Sequence, residues 1–467
     1  MQLFRLLLCT LLLTGFSGIV RAADPVRLDT LPERWIYHSD KIQTLPCDDS
    51  WWRQLGDPML DSLIDAGVNN NFNLAAAMHR IAAARQNINQ ARSSYYPSIA
   101  LNAGWTGTRQ AGAISSPVRP SDNISYFSAG ASMNWEIDVF GKIRSRVRES
   151  KAALQATRAD YSAAMVSLCG DIARYYAQLR TLQDELEVAR RHIASQDSVL
   201  KIAEARHEAG LASKLDVAQA ATICYSTQAT VPGLESSIDA AINSIALLLG
   251  ETPERLYPML AAPAPFPEYI RIVSAGVPAE LLRRRPDIVE AEAALAQAAA
   301  ALGVAKKDFL PTLSLQGSVA TAAHKPGDLF GDNSLEYSIA PTLSWTLFDG
   351  MGRRAGVIAA REQMNAAIDN YNMTVLTAYQ EVSTAMSAYT SALRQVEILG
   401  KVVGEARESL KLALDLYRGG LSSFTNVADA QISYLQYADM IVTARGDAMA
   451  ALINLYTALG GGWSADM

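Results

Sequence analysis

The stretch from Phe127 to Val139 alternates between apolar and small or polar residues, and it limits what the chain can fold into. Every odd-numbered position in it is apolar: Phe127, Ala129, Ala131, Met133, Trp135, Ile137 and Val139. A period of two predicts a β-strand with one apolar and one polar face. At about 3.3 Å per residue the stretch reaches roughly 40 Å, more than a tilted strand needs to cross a bilayer core. We therefore expect an amphipathic strand of membrane length.

A helix-forming segment of 68 residues, Gly141 to Glu208, follows this strand almost directly. It contains no proline and a single interior glycine, Gly170. At 1.5 Å per residue such a helix would be about 100 Å long. Because no compact domain holds a helix of that length alone, we expect it to lie against other long helices.

The strand and the helix belong to a unit that occurs twice. The residues at 310–315 (LPTLSL) repeat those at 96–101 (YPSIAL) at an offset of 214. Three further features recur at an offset of 210: Trp135 and Trp345, the GL-x-S turns at Gly210 and Gly420, and Leu249-Gly250 and Leu459-Gly460. Such self-similarity indicates a duplicated structural unit. The change in offset indicates hairpin loops that differ in length by four residues.

The duplication predicts the organisation of the whole chain. The expected segments are a signal peptide (1–22), an extended leader (23–72), a first repeat (73–250), a proline-rich linker (251–279), a second repeat (280–460) and a tail (461–467). In the first repeat we expect a helix, a β-hairpin (97–139), the long helix (141–208) and a helix (213–249). In the second we expect a helix, a β-hairpin (311–348), a long helix (350–417) and a helix (423–459).

The N-terminus predicts export. Arg5, the apolar run from Leu6 to Leu13 and the small residues Val20 and Ala22 indicate a signal peptide cleaved after Ala22. The alternative, a membrane anchor, is disfavoured because the run is too short to span a bilayer. No later segment offers eighteen apolar residues without a charge, so we expect no spanning helix.

Cleavage leaves three cysteines, Cys47, Cys169 and Cys224. We interpret them as buried small apolar residues, although a single disulfide is also possible. Their spacing fits no metal site, and the five histidines are scattered. No zinc-protease, phosphate-loop or dinucleotide motif is present. We therefore expect no metal, no cofactor and no catalysis, and the formal net charge of −6 gives no support for nucleic-acid binding.

Four amphipathic strands per chain are too few to close a barrel. An open sheet edge in lipid leaves backbone groups unpaired, so copies must combine. Two copies give eight strands, whose interior is filled by side chains, whereas three give twelve. The polar-face residues are small, as a water-filled lumen requires, so a trimer is favoured over a dimer. The long helices carry charges throughout and must project from the membrane as a soluble tube.

Taken together, these features resemble the outer membrane efflux proteins, the TolC-like exit ducts of tripartite efflux pumps. The resemblance rests on RRRPD at 283–287, FLPTLSL at 309–315, the two GL-x-S turns and the closing LGGGW at 459–463. It is strongest with the branch that partners RND-type pumps. Members of that branch often carry a lipid on an N-terminal cysteine, but no cysteine follows the apolar run at the right place here.

The resemblance implies a mainly helical protein with a membrane β-barrel: a homotrimer whose twelve-stranded barrel continues into a long α-helical periplasmic barrel. It implies a passive channel in the outer membrane of a Gram-negative bacterium, in contact with outer-membrane lipid, through which drugs or other small toxic compounds leave the periplasm. The expected partners are a periplasmic membrane-fusion adaptor and an inner-membrane RND-type pump.

The resemblance also assigns candidate site residues. The turns would form the periplasmic tips of the tube, where these residues either dock the adaptor or simply cap helices: Gly210, Leu211, Ser213, Gly420, Leu421 and Ser423. An acidic ring at the entrance would use Asp415, with Glu408, Asp216 and Asp429 as weaker candidates; the alternative is a solvated helix face. Arg283, Arg284 and Asp287 flank Pro286, and we interpret them as a structural cap rather than transport residues.

Two other functions remain open from the sequence. One is the exit duct of a type I protein secretion system. The other is a structural coiled-coil spacer of the cell envelope, against which the four alternating segments argue.

Overall fold

This computed structural model describes residues 35–36, 42–43, 49–109, 123–266, 273–274 and 284–463. The predicted signal peptide, Cys47 and Arg283 lie outside these residues, so what the sequence predicts for them stays a prediction. Cys169 and Cys224 are both buried, and neither forms a disulfide.

Long helices and strands make up both halves of the chain, and the two short strands Ile42–Gln43 and Val273–Ser274 pair with each other in parallel. The first half contains β1 (Ile42–Gln43), α1 (Pro58–Asn70), α2 (Phe72–Ser93), β2 (Ser98–Arg109), β3 (Asn123–Ile137), α3 (Lys142–Glu208), α4 (Lys214–Gln228) and α5 (Val231–Leu249). The second contains α6 (Pro253–Leu260), β4 (Val273–Ser274), α7 (Pro286–Lys307), β5 (Thr312–Ala323), β6 (Leu335–Ser344), α8 (Gly352–Arg418) and α9 (Phe424–Ala458). Helices α3 and α8 each have 67 residues, and each is therefore about 100 Å long.

The four longer strands form one antiparallel sheet in the order β2-β3-β5-β6. Its register aligns the alternation of all four strands. One row across the sheet is apolar and contains Leu101, Ala131, Val319 and Tyr337. The next row contains Ala100, Ser132, Ser318 and Ser338. The sheet thus has one apolar face and one face of small and polar residues.

The sheet is open at both sides, because β2 and β6 are its edge strands. Their outward backbone groups have no strand beside them within the described part of the chain. Such edges are not tolerated in lipid, where each unpaired backbone group costs several kcal/mol. One copy of this sheet is therefore incomplete as a membrane structure.

Equivalent tryptophans close the junction between strand and helix in both halves. The indole Nε1 of Trp135 donates to the carbonyl oxygen of Tyr95 at 2.9 Å. The indole Nε1 of Trp345 donates to the carbonyl oxygen of Phe309 at 3.0 Å. Each bond joins the end of a hairpin to a residue three positions before its first strand. Tryptophan suits a membrane–water interface because its ring is apolar while its N–H needs a partner.

The structure departs from the predicted segments in several places. The helix expected over 213–249 is two helices, because α4 ends at Gln228 and α5 begins at Val231. Pro232 stands at the start of α5, and its missing N–H prevents an unbroken helix. Position 442, which is 210 residues later, is a valine, and α9 runs through it without a break.

Other boundaries differ more modestly. The expected linker contains helix α6. Helix α1 lies in the last part of the leader, within 57–74, where the sequence predicts a short helix and turn. Strand β3 ends at Ile137 rather than Val139, and β6 ends at Ser344 rather than near 348. Alternation in sequence continues past the last residue that another strand pairs with, so it places the ends of these two strands too late.

One helix, α7, is long and apolar enough to cross a membrane by length and composition, among the residues that the structure describes. The sequence did not lead us to expect such a helix. A single helix that meets this test is weak evidence of a membrane span. Helix α7 packs against both α3 and α8, and alanine accounts for much of its apolar character. We interpret it as a helix of the packed stalk outside the membrane.

Three separate apolar cores hold the helices of the described residues together. The larger core contains fully buried aromatic side chains, including Trp51, which stacks on Tyr456 with 5.1 Å between ring centroids. The smaller core lies near the ends of α3 and α8 and includes Tyr417 and Phe424. A third cluster, between α2 and α3, contains Ile81, Ala84, Ile88 and Leu154. The sheet is thus joined to a long helical stalk with cores along its length and at its end.

Helices α3 and α9 approach closely at two reciprocal contacts. A Cβ built on Gly170 of α3 would lie 2.8 Å from Oγ1 of Thr457, and one on Gly446 of α9 would lie 2.5 Å from Oγ1 of Thr181. Both distances are too short for a real side chain. Each helix therefore supplies one glycine that receives a threonine of the other.

This contact predicts that Gly446→Ala destabilises the protein, although alanine favours helices over glycine by about 1 kcal/mol. We expect a loss of about 1–3 kcal/mol from overpacking, measured as a lower unfolding midpoint of the protein in detergent. The double variant Gly446→Ala/Thr181→Ala should recover most of the loss. Gly404→Ala on α8 is the control, because no atom lies within 4 Å of its added Cβ. A loss of the same size at Gly404 would contradict the packing argument.

Candidate functional site at the helix tips

The turns between α3 and α4 and between α8 and α9 have the same backbone geometry. Gly210 and Gly420 both have φ of 72°, which glycine adopts without steric cost. The amide of Leu211 donates to the carbonyl oxygen of Arg206 at 2.8 Å, and that of Leu421 to the carbonyl oxygen of Leu416 at 2.9 Å. These bonds close helix ends of the Schellman type. The repeated GL-x-S sequence therefore encodes two matching tips.

Each tip presents a leucine to solvent. Leu211 is 68% exposed and Leu421 is 79% exposed. Both follow the glycine directly, so the fixed turn determines where they stand. Exposed apolar residues at a defined, repeated position are suited to contact with another protein.

The serines of the two turns act differently. The hydroxyl of Ser213 accepts from the amide of Asp216 at 3.2 Å and donates to its carboxylate at 2.6 Å, which caps α4. Ser423 makes no side-chain cap bond to α9. Capping therefore accounts for Ser213 but not for Ser423.

Arg206 links the two tips. Its Nη1 donates to the carbonyl oxygen of Arg418 at 3.0 Å. Its Cζ lies 4.8 Å from the centre of the Tyr417 ring, a cation–π distance. The Tyr417 ring packs against Phe424 in the smaller core, and its burial, together with the nearby Asp216 carboxylate, raises its pKa. Tyr417 is thus a neutral ring, and its contact with Arg206 joins the end of α8 to the end of α3.

Sequence reasoning missed this link. Arg206 and Tyr417 lie outside the recurring motif, and the hydrogen bond joins Arg206 to Arg418, 212 positions away. The available signal was weak: an arginine in the last helical turn before Gly210 and a tyrosine in the last helical turn before Gly420.

The four acidic candidates do not converge in one chain. Asp415 lies 3.8 Å from Arg418, and Glu408 lies 3.5 Å from Lys411, in exposed pairs within α8. Asp216 is engaged by Ser213, and Asp429 is exposed on α9. Exposed pairs of this kind contribute about 0–1 kcal/mol. Across the described ranges, no group of three His, Cys, Asp or Glu side chains could hold a metal ion.

The residues around Pro286 form a structural network. Arg284 pairs with Asp49 at 2.6 Å. Arg285 is buried and pairs with Asp287 and Glu381, each at 2.7 Å, while its Nη1 donates to the carbonyl oxygen of Ala458 at 2.9 Å. These contacts tie the start of α7 to neighbouring elements, but no side chain caps α7 there, and the sequence had not singled out Arg285.

The whole architecture has close counterparts among known structures, and a family model matches most of the chain. The model, described as outer membrane efflux protein, matches residues 63–251 and 277–461. The chain belongs to the outer membrane efflux protein family. It is similar to the solved outer-membrane channel OprN, with a TM-score of 0.86, 29% identity and coverage of 95% of this chain and 99% of that one. It is also similar to VceC of Vibrio cholerae, with a TM-score of 0.81, 25% identity and coverage of 90% and 100%.

Relatives by sequence agree with this assignment. The pyoverdine export outer membrane protein OpmQ of Pseudomonas putida is 32% identical over 92% of this chain and 91% of its own length. The toluene efflux pump outer membrane protein TtgI, also of Pseudomonas putida, is 31% identical over 87% and 86%. The protein is therefore an outer-membrane efflux duct of a Gram-negative bacterium, with a channel fold rather than an enzyme fold.

The Arg206 link predicts that Arg206→Ala loosens the tips. A hydrogen bond from a charged donor and an exposed cation–π contact together account for about 2 kcal/mol. We expect faster amide hydrogen exchange in 205–213 and 416–423, and no change in the sheet. Arg418→Ala is the matched control, because the acceptor there is a backbone carbonyl that the substitution keeps. Equal loosening by both variants would show that charge loss alone, not the link, was responsible.

Proposed function

We propose that this duct works as a homotrimer in a tripartite efflux system, between a periplasmic adaptor that it contacts at its tips and the outside of the cell. An inner-membrane RND-type pump would supply the energy. The observation that carries the proposal is a sheet with two open edges that continues into helices of 67 residues. Three copies would bring twelve strands, which suits a barrel with a water-filled lumen.

Small toxic molecules are the proposed cargo. Relatives named for pyoverdine export and for toluene and solvent efflux support this substrate class. They favour small-molecule export over a type I protein secretion duct. Deleting the gene should raise susceptibility to such compounds and leave the set of secreted proteins unchanged; the reverse result would favour protein secretion.

The tips are the proposed adaptor-docking surface. The residues concerned are Gly210, Leu211, Ser213, Gly420, Leu421 and Ser423. Their support is the matched turn geometry and the exposure of the two leucines. At the same end, Asp415, Glu408, Asp216 and Asp429 are proposed to place negative charge around the entrance once three copies meet, since one chain alone does not gather them.

The docking proposal predicts that Leu211→Asn/Leu421→Asn abolishes efflux while the protein still folds and trimerises. Both side chains are exposed in one chain, so their loss should cost little stability, whereas an apolar contact with the adaptor would be lost. Susceptibility to a pump substrate should rise at least tenfold, and pull-down of the adaptor should fail. Tyr225→Asn is the control, since Tyr225 is 62% exposed on α4 but three turns from the tip. Normal efflux by the double variant would contradict the docking proposal.

The lumen proposal predicts cation selectivity. Among the described strand residues, the polar face carries two carboxylates, Glu136 beside Ser314 and Glu336 beside Ala320, and no basic side chain. Glu136→Gln/Glu336→Gln should lower the cation-to-anion permeability ratio of the protein in planar bilayers, because rings of carboxylates attract cations. Asp332→Asn, in the loop beyond the strands, is the control. An unchanged ratio in the double variant would mean that these faces do not line the conducting path.

A further inference from the structure

A groove of about 590 Å³ lies between α3, α8 and α9, on the side of the tips that faces the rest of the stalk. Its charged lining is mostly basic. The basic side chains are Arg191 of α3, Arg407, Lys411 and Arg418 of α8, and Arg445 of α9. The acidic ones are Asp184 and Asp415. This excess of positive charge is local, since the chain as a whole has a formal net charge of −6.

Three of these cations already have partners. Arg191 pairs with Glu187 at 3.7 Å, Lys411 with Glu408 at 3.5 Å and Arg418 with Asp415 at 3.8 Å, each within its own helix. Arg407 and Arg445 differ. In the described part of the chain no carboxylate lies within 4.0 Å of either guanidinium. One uncompensated arginine therefore stands on α8 and one on α9, both lining the same groove.

The third helix contributes a buried polar group without a partner. His192 of α3 lines the groove, is 8% exposed and packs edge-on against Tyr434 with 5.2 Å between ring centroids. Its Nε2 is buried and has no hydrogen-bond partner among the described residues. Leaving such an atom unpaired costs about 1–3 kcal/mol. Burial, with a smaller contribution from Arg191, lowers the pKa of His192, so the ring is neutral at pH 7 and carries one N–H.

The geometry points to a binding site for a small anion bearing phosphate or carboxylate groups, held by Arg407, Arg445 and His192. Guanidinium groups bind both kinds of oxyanion through paired, charge-assisted hydrogen bonds. The groove has the volume of a small-molecule site. Because each of the three side chains comes from a different helix, the anion joins α3, α8 and α9. The three side chains are not among the proposed docking residues, although the groove extends toward the tip as far as Asp415 and Arg418.

Binding at this site stabilises the packing of the three helices by mass action. An anion that needs all three groups binds only while α8 stays beside α3 and α9. Its concentration would therefore bias the stalk toward the arrangement described here, independently of the adaptor.

Titration calorimetry on the full-length protein in detergent tests the site, at pH 7 and fixed ionic strength. The two probes are inorganic phosphate and citrate, in separate arms that distinguish phosphate from carboxylate recognition. We expect saturable binding of at least one probe, at least tenfold weaker in Arg407→Ala/Arg445→Ala. His192→Phe, which keeps the ring packing but removes both nitrogens, should weaken binding at least threefold without lowering the unfolding midpoint of the ligand-free protein.

The matched control is Arg361→Ala/Arg394→Ala, which removes two exposed charges of α8 outside the groove. It should change the affinity less than twofold. Equal weakening by both double variants would mean that general charge, not the groove, attracts the anion. Absence of saturable binding for both probes would also overturn the proposal. Because calorimetry needs no transport, these outcomes are independent of whether the duct proposal holds.

Discussion

Unpaired backbone groups at the two edges of the sheet govern this structure. Strands β2 and β6 have partners on one side only, and lipid supplies no hydrogen bonds to the other side. The alternation of apolar and polar rows commits the sheet to a membrane, so its edges must meet other strands. A soluble protein could cover an edge with a helix or a charged side chain. Here the strands run directly into the helices, so assembly of copies is the available solution.

The strands must also continue from lipid into helices that stand in water, without a break between them. At the junctions, Trp135 and Trp345 satisfy their own N–H groups with carbonyl oxygens that precede the strands. Farther along the stalk, the larger core buries tryptophan, tyrosine, leucine and isoleucine. Beside it, α3 and α9 approach each other closely at the reciprocal contacts of Gly446 with Thr181 and of Gly170 with Thr457. The long helices are therefore held both by an apolar core and by close backbone approach.

The sequence predicted the parts of this fold that depend on local periodicity. A period of two located the strands, and long proline-free segments located α3 and α8. The break at Pro232 could have been predicted from proline chemistry, but the apparent repeat suggested one helix. The contacts of Arg206 with Tyr417 and of Arg285 with Glu381 join residues far apart in the chain. Periodicity reports which face of an element is apolar, and it says nothing about which distant side chain lies opposite.

The two halves are alike in backbone but unequal in how firmly their tips are held. Ser213 caps α4, whereas Ser423 leaves α9 without a side-chain cap. Helix α9 is continuous over 35 residues, whereas its counterpart is divided into α4 and α5. The tip of α8 and α9 is attached to the other tip through the smaller core and through Arg206, which is the polar part of this contact. A link of about 2 kcal/mol changes a two-state population roughly thirtyfold. Such a link is strong enough to favour one arrangement of the tips and weak enough for a docking partner to reverse it.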